Sequence, residues 1–458
     1  MSHFDMIVIG AGPGGYAAAL QASQRGKQVA LIEKSALGGT CLNQGCIPTK
    51  LYLGATEQID AMHAQSRLRL CSGDIQVDLG ALKKRKQAIV SASHKAMRAN
   101  LEKHGVHLVV GQARLTGAHT VSVGDASLQC DALIIATGSS PASFPGIEPD
   151  HVHILDSTDL LDLDQAPRSL AIIGAGAIGL EMGEFWQRMG SRIHLIEAAP
   201  QIAPTEDPEI AQILTTVLKR KKWDIRAGER VTALEVGAEP GSDQESGQVC
   251  VRLKSGQSLH VDTVLLAIGR RPNTQGLNLD AAGIQTVHGG WIATDAYLQA
   301  GQGIYAIGDV NGRSLLAHAA EHQAHYVIAH ALGDTLSPYA AQSMPGCVYG
   351  SFELMRAGRT AQELGAQGRS MMVSRANLGA NPISQAHGQA QGLVKIVWEQ
   401  GRVCGVSAAG YKVSHLITLA ETIVRDGWTV ERAKECIFAH PTLDEALRDA
   451  LLAPQEPA

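Results

Sequence analysis

Asp5-Met6-Ile7-Val8-Ile9-Gly10-Ala11-Gly12-Pro13-Gly14-Gly15 is an apolar run that ends in glycines spaced G-x-G-x-x-G, at Gly10, Gly12 and Gly15. The run predicts a buried strand of a parallel sheet. The alanine-rich residues 16–25 predict the next helix, and residues 28–33 a second strand. Each glycine has a physical purpose. The first makes a tight turn, the second lets backbone approach a pyrophosphate, and the third lets helix pack on strand. Phosphates would sit over the helix N-terminus, where the dipole and unpaired N–H groups attract anions. Glu33 ends the second strand, placed to accept hydrogen bonds from a ribose diol. The glycines alone are weak evidence. Strand, helix and terminal acid in register predict a dinucleotide-binding βαβ unit.

The unit recurs. Residues 169–173 predict a strand, and Gly174-Ala175-Gly176-Ala177-Ile178-Gly179 repeats the glycine pattern. A helix over 180–189 and a strand over 192–197, ending at Glu197, complete it. Two such folds predict two nucleotide cofactors, one of them a flavin. A duplicate that had lost its ligand would not be expected to keep its glycines and acid. A carboxylate at Glu197 suits the free 2′-hydroxyl of NAD and repels a 2′-phosphate, and Ala198-Ala199-Pro200-Gln201 bring no arginine. NAD is therefore predicted over NADP.

Directly after the first unit stands Gly38-Gly39-Thr40-Cys41-Leu42-Asn43-Gln44-Gly45-Cys46-Ile47-Pro48-Thr49-Lys50. Cys41 and Cys46 fall at the start of a predicted helix, whose N-terminus stabilises a thiolate. The physical reading is a reversible disulfide held against a redox cofactor, with the Lys50 cation one turn further on. The alternatives are a structural disulfide or half of a metal site. A chain of 458 residues builds its core without a staple. No second Cys/His pair has zinc-ligand spacing, so no metal is predicted. The remaining cysteines are scattered, as thiols are in a reducing compartment.

Composition is that of an ordinary globular protein, with 45% hydrophobic and 18% charged residues. A net charge of −5 offers no electrostatic case for nucleic acid. No apolar run has the length of a membrane span, and no basic region with a cleavage site opens the chain, so a cytoplasmic protein is expected. The runs Lys83-Lys84-Arg85-Lys86 and Lys219-Arg220-Lys221-Lys222 are read as solvated helix faces.

Apolar runs at 131–138 and 262–269 predict strands that end the nucleotide folds and carry the chain onward. Residues 303–309 predict another, ending at Asp309, which can bond the ribityl chain of a flavin or cap the following helix. That helix, over 315–332, carries His318, His322, His325 and His330, read as packing or solvent residues because no Cys or acid stands at ligand offsets. From about residue 341 the character changes. Strands at 371–376, 393–398 and 403–408, with Gln400-Gly401 as a turn, precede helices at 413–426 and 443–452. This α+β region ends in Phe438-Ala439-His440-Pro441-Thr442-Leu443-Asp444-Glu445.

In combination these motifs resemble the flavin-dependent pyridine-nucleotide disulfide oxidoreductases over the whole chain, and most closely the members that oxidise dihydrolipoyl groups. The resemblance implies an α/β protein with two Rossmann-like dinucleotide-binding domains and a C-terminal α+β interface domain for dimerisation. An FAD-binding domain would take residues 1–142 and 261–338, an NAD-binding domain 143–260, and the interface domain 339–458. Cys41 would exchange with substrate and Cys46 would lie beside the flavin. Lys50 would pair with Glu181 at the flavin. His440 would be the acid–base residue, oriented by Glu445, and would reach the site from the other subunit of a homodimer. The cofactors FAD and NAD would lie against Gly10, Gly12, Pro13, Gly14, Gly15, Glu33, Lys34, Gly39, Thr40, Lys50, Ala136, Thr137, Gly138, Gly174, Gly176, Ile178, Gly179, Glu197, Gly269, Arg270, Gly308, Asp309, Leu316, Ala317 and His318.

The implied partner is a lipoyl-bearing carrier protein, alone or in a 2-oxoacid dehydrogenase or glycine cleavage complex. The chain departs from the family pattern twice. Tyr349-Gly350-Ser351-Phe352-Glu353 lacks the usual proline, and Ser414-His415-Leu416-Ile417 places a histidine where an acid is usual. Rival functions are a reductase of another disulfide or of mercuric ion, and a non-catalytic redox sensor or assembly subunit. An NADP-linked reductase would want arginines after Glu197, and a mercuric reductase a C-terminal cysteine pair, whereas the last cysteine is Cys436. A sensor would be expected to lose Cys41, Cys46 or His440.

Overall fold

The computed structural model describes residues 2–237, 248–341 and 343–458. The chain forms two compact units. The first comprises Met1–Thr49, Lys83–Ala142 and Gly269–Ala340, the second Lys50–Leu82, Ser143–Ile268 and Ala341–Ala458.

The first unit is built on a sheet in which Ser2–Ile9 lies parallel between Val29–Glu33 and Ala126–Ile135. His107–Val110 and Ile304–Ala306 extend it on either side, also in parallel. Side chains alternate across a strand, so Ile7 and Ile9 enter one buried cluster while Met6 and Val8 enter another. Both faces are covered, which is why these strands read as continuous apolar runs. The first helix spans Pro13–Gln24, three residues earlier than predicted, because proline is already set for the first helical turn. The run at 303–309 divides into the strand Ile304–Ala306 and a 3-10 turn, Gly308–Asn311. Helix Ala317–Ala331 follows as predicted. On it His330 Nδ1 lies 2.9 Å from the Tyr305 hydroxyl, and His322 Nδ1 lies 3.0 Å from the Tyr339 hydroxyl, which are packing contacts.

The second unit repeats the plan. Ser169–Ile173 lies parallel to Arg192–Glu197 and to Thr263–Leu266, so this nucleotide fold runs on to residue 266. A six-stranded antiparallel sheet follows, with Arg402–Gly410 between Glu353–Gly358 and Gly392–Glu399. Gln400 and Gly401 both have positive φ, 50° and 74°, as a two-residue hairpin of this twist requires. Helices Ile417–Arg425 and Asp444–Leu452 close a core around Trp398, Val406 and Leu447. The predicted helix at 413–426 starts as one 3-10 turn, Val413–Leu416. The short helix Val430–Glu435 was not anticipated, and neither were the edge strand Gly346–Val348 and its neighbour Glu353–Gly358. No helix among the described residues is long and apolar enough to cross a membrane.

The basic runs are not uniformly solvated. Lys86 is buried. Helix Pro208–Arg220 ends before Lys221, which therefore leaves the exposed face and turns inward. Lys221 Nζ lies 3.1 Å from Asp60, 2.7 Å from Glu184 and 2.5 Å from the Ser351 hydroxyl. Arg188 pairs with Asp60 and lies 3.3 Å from Glu184. Burial alone would raise the Glu184 pKa, but the Lys221 and Arg188 cations outweigh it and bring the value to about 2. The folded value is thus below the ordinary glutamate value of 4.5. The stabilisation is complete above pH 4.5 and is lost as pH falls toward 2. Glu184→Gln is expected to flatten the acid limb of thermal stability in that window. Parallel limbs for the two proteins, followed by circular dichroism, would exclude this role.

Candidate active site

The first glycine loop is shaped by contacts that only glycine permits. Gly10 has φ +99°, and a Cβ there would come within 2.5 Å of the Ala136 carbonyl oxygen. A Cβ on Gly15 would come within 1.8 Å of the Gly10 oxygen. At Gly12 the nearest atom to such a Cβ is the Gly39 Cα, 3.9 Å away, so the turn lies open above its middle glycine. The Glu33 carboxylate accepts from the Ala11 N–H at 2.7 Å and from the Ser35 N–H at 2.9 Å. It has lone pairs to spare for a diol. Lys34 is exposed beside it. Gly14 and Gly308 both face Ala320, in the first turns of the helix preceded by Leu316 and begun by Ala317 and His318.

The cysteine loop is pressed onto this turn. The Gly38 N–H donates to the Ala11 oxygen at 2.8 Å. Gly39 has φ +54°, and a Cβ on it would stand 2.8 Å from the Gly12 Cα. The expected single helix is in fact two. Gly39–Gln44 carries Thr40 and Cys41, and Cys46–Arg67 begins at the second cysteine. Gly45 breaks them, because its φ of −140° and ψ of −112° are not helical. Cys46 therefore heads a 22-residue helix, where the dipole favours its thiolate. Cys46 is exposed and Cys41 half-buried. Asn43 braces the loop. It donates to the Leu37 and Gly39 oxygens, and its Oδ1 lies 2.7 Å from His94 Nε2. Sequence reasoning missed this brace, since His94 has no local motif.

Asp309 caps no helix. It accepts from the Ser139 hydroxyl at 2.5 Å, and Arg270 Nε lies 3.6 Å away. Arg270 also donates to the Ser139 hydroxyl at 2.6 Å and to its carbonyl at 2.7 Å. Asn273 donates to the Thr137 oxygen at 2.9 Å, which fixes the turn through Ala136, Thr137 and Gly138. Ser139 and Asn273 are further residues that no motif pointed to.

The second glycine loop is built like the first. Gly174 has φ +105°, and its Cβ would stand 2.3 Å from the Ala267 oxygen. A Cβ on Gly179, beside Ile178, would stand 2.1 Å from the Gly174 oxygen. Nothing lies within 4 Å of one on Gly176. Glu197 accepts from the Ala175 N–H at 2.7 Å and the Ala199 N–H at 2.8 Å, the same bracket that holds Glu33. Gly269, with φ +128°, leads into Arg270.

The structure joins Lys50 to Glu181, 131 positions apart, with Nζ 2.5 Å from Oε2. Glu181 is buried, and desolvation raises its pKa against the pull of Lys50. It also joins His440 Nδ1 to both oxygens of Glu445, each at 3.1 Å. Glu445 is buried, and the hydrogen bonds from His440 and the Thr442 N–H hold its carboxyl below the ordinary glutamate value. Arg448 adds a contact at 2.9 Å. His440 itself is exposed, with 74% of its side chain open to solvent. Its Nδ1 is committed to the carboxylate, which leaves Nε2 outward to take or give a proton.

The departures at 349–353 and 414–417 have structural partners. Ser351 completes the Lys221–Glu184 cluster, and Phe352 packs on the core that holds Tyr52, Phe185 and Trp186. His415 is exposed on the 3-10 turn, while its neighbour Ser414 donates its N–H to buried Glu353 at 3.0 Å.

Residues 4–324 match the pyridine nucleotide-disulphide oxidoreductase family, and residues 344–451 its dimerisation domain. The chain is 36% identical to dihydrolipoyl dehydrogenase 3 of Pseudomonas aeruginosa, over 99% of this chain and 98% of that protein. It is 34% identical to a dihydrolipoyl dehydrogenase of Chlorobaculum parvum, over 99% and 97% respectively. Among solved structures it is similar to the Cu(II) complex of the HOCl-induced flavoprotein disulfide reductase RclA from Escherichia coli, with a TM-score of 0.87 and 27% identity over 98% of this chain and 99% of that one. It is also similar to LpdA from Mycobacterium tuberculosis, with a TM-score of 0.88 and 25% identity over 98% and 99%.

Proposed function

This chain belongs to the pyridine nucleotide-disulphide oxidoreductase family, and from that membership we propose that it oxidises dihydrolipoyl groups to the disulfide and delivers the electrons to NAD. The observation that carries the reading is the seating of the cysteine loop on the first glycine turn, Gly39 against Gly12 and Gly38 bonded to Ala11. It puts a thiol pair where a dinucleotide would lie. The first unit fits FAD: its turn is open over Gly12, backed by a helix N-terminus and edged by Glu33. The second fits NAD through the equivalent Gly176 and Glu197, and Glu197 stands against a 2′-phosphate. FAD, when bound, supplies the carrier between the thiol pair and the nicotinamide.

The chain's own groups perform the thiol chemistry. His440, oriented by Glu445, removes a proton from the substrate dithiol. The substrate thiolate attacks the Cys41 sulfur of the Cys41–Cys46 disulfide, and Cys46 leaves as a thiolate at its helix N-terminus. The second substrate thiol then displaces Cys41, closing the substrate disulfide and leaving both cysteines reduced. The dimerisation domain makes the protein a homodimer. We place His440 of one subunit at the cysteine pair of the other, and a lipoyl-bearing carrier protein as the partner that reaches Cys41. The first unit is read as FAD-binding, and the second as the NAD-binding fold followed by the interface domain.

The test is NADH formation by the flavin-loaded dimer with dihydrolipoamide, compared between NAD and NADP. Turnover with NAD and far slower turnover with NADP are expected. A loaded dimer inert toward free dihydrolipoamide and every lipoylated protein tried would end this assignment.

A further inference from the structure

Lys50 and Glu181 are held by a third residue. Tyr349 follows the edge strand Gly346–Val348, and its backbone N–H donates to Glu181 Oε1 at 3.2 Å. The other oxygen, Oε2, takes the Lys50 ammonium. The same ammonium stands 4.6 Å from the centroid of the Tyr349 ring. One residue thus touches both members of the pair, the carboxylate with its backbone and the cation with its ring face. The phenol and its neighbour, the Cys347 thiol, are each pushed up to about 12, chiefly by burial, and contact one another. Both stay neutral at physiological pH, so the ring quadrupole is what Tyr349 offers the cation. The opposing charge nearby is Glu353, whose field raises Glu181 further. Without a second support, the long Lys50 side chain would be free to swing from a buried carboxylate into solvent.

We propose that Tyr349 is a positioning residue that clamps the Lys50–Glu181 pair, its ring face holding the ammonium and its backbone N–H fixing the carboxylate that the ammonium meets. This rests on the proposed dithiol–NAD function only for its consequence, since the family resemblance puts the Lys50–Glu181 pair at the flavin. The clamp itself is a property of the fold.

The test reads Lys50 directly. Acetic anhydride acylates only the neutral amine. The rate at Lys50 relative to exposed Lys254, measured by peptide mass spectrometry on the flavin-loaded dimer across pH, reports how well the ammonium is held. Tyr349→Phe keeps the ring and is expected to leave the ratio and its pH profile unchanged. Tyr349→Leu removes the ring and is expected to raise the ratio roughly two- to thirtyfold, the span of a cation–π contact. In steady state it should lower kcat with dihydrolipoamide while KM stays constant. Tyr349→Met, which keeps bulk without a π face, carries the test if the leucine variant does not fold. The proposal is overturned if the folded ring-less variant acylates like wild type, or if Tyr349→Phe shifts the ratio as far as Tyr349→Leu. Inert wild-type enzyme with an intact labelling pattern would instead overturn the dihydrolipoyl assignment and leave the clamp standing.

Discussion

His440→Ala is expected to lower dihydrolipoamide oxidation by roughly 10²–10⁴-fold, the range that a positioned acid–base group contributes. A substrate thiol has an ordinary pKa near ~8.5, so at neutral pH little of it is ionised, and removing its proton is the step that the imidazole assists. Among the described residues the imidazole is exposed and held by two 3.1 Å contacts from Nδ1 to Glu445. Alanine therefore removes no core contact, and folding and flavin content should be retained. Electron transfer from NADH to an artificial one-electron acceptor needs no dithiol base and should be little changed. The diagnostic pattern is loss of the thiol half-reaction alone. Glu445→Gln should have a smaller effect in the same half-reaction, because the amide still accepts from Nδ1 but no longer stabilises the imidazolium. A His440→Ala enzyme with wild-type dihydrolipoamide turnover would remove the acid–base assignment.

Lys395→Ala is expected to destabilise the protein by about 3–5 kcal/mol, the cost of stripping one member from a buried ion pair. Lys395 sits on the strand Gly392–Glu399 with 8% of its side chain exposed, and its Nζ contacts both oxygens of Asp207 at 2.9 and 3.1 Å. The Asp207 side chain is 1% exposed and also caps the helix Pro208–Arg220 through the Glu209 N–H. Removal of the lysine leaves that carboxylate without its cation in a place water hardly reaches. Glu209 and Arg375 lie at the rim, where exposure weakens their contribution. The double variant Lys395→Met/Asp207→Asn should recover most of the loss. It removes both charges, keeps the side-chain bulk, and asparagine still caps the helix. Chemical denaturation of the three proteins decides the matter. A single variant as stable as wild type would overturn the prediction and show that solvent or a rearranged Arg375 compensates.

The parts legible in the sequence are those whose chemistry is local. The two glycine turns declare themselves because a strand, a turn without Cβ atoms and a helix must follow one another within a short span. Glu33 and Glu197 end strands of fixed length, so their place at the turn follows from register. Cys41 and Cys46 are close in sequence and therefore close in space. What was misread is equally local in cause. The break at Gly45 divides one expected helix in two, and the end of a helix at Arg220 turns Lys221 from a solvated face into an ionic cluster. Of the two readings of Asp309, ribityl ligand or helix cap, the cap is not formed, and the carboxylate accepts from Ser139, which lies 170 positions away in the chain, with lone pairs left for a ribityl hydroxyl.

Taken by itself, the sequence determined two dinucleotide folds, a redox-type cysteine pair after the first, and an acid at each turn that suits a ribose, since each rests on spacing within one supersecondary unit. Only the tertiary structure decided which distant groups meet beyond the Lys50–Glu181 pair that the family resemblance implied: Tyr349 over that pair, Lys221 with Asp60 and Ser351, Lys395 with Asp207, and the brace of Asn43 on His94. The reason is physical. Spacing along a chain constrains neighbours within a few turns or one hairpin, whereas the meeting of residues far apart in the chain depends on how whole faces of helices and sheets pack, and no short pattern encodes that packing.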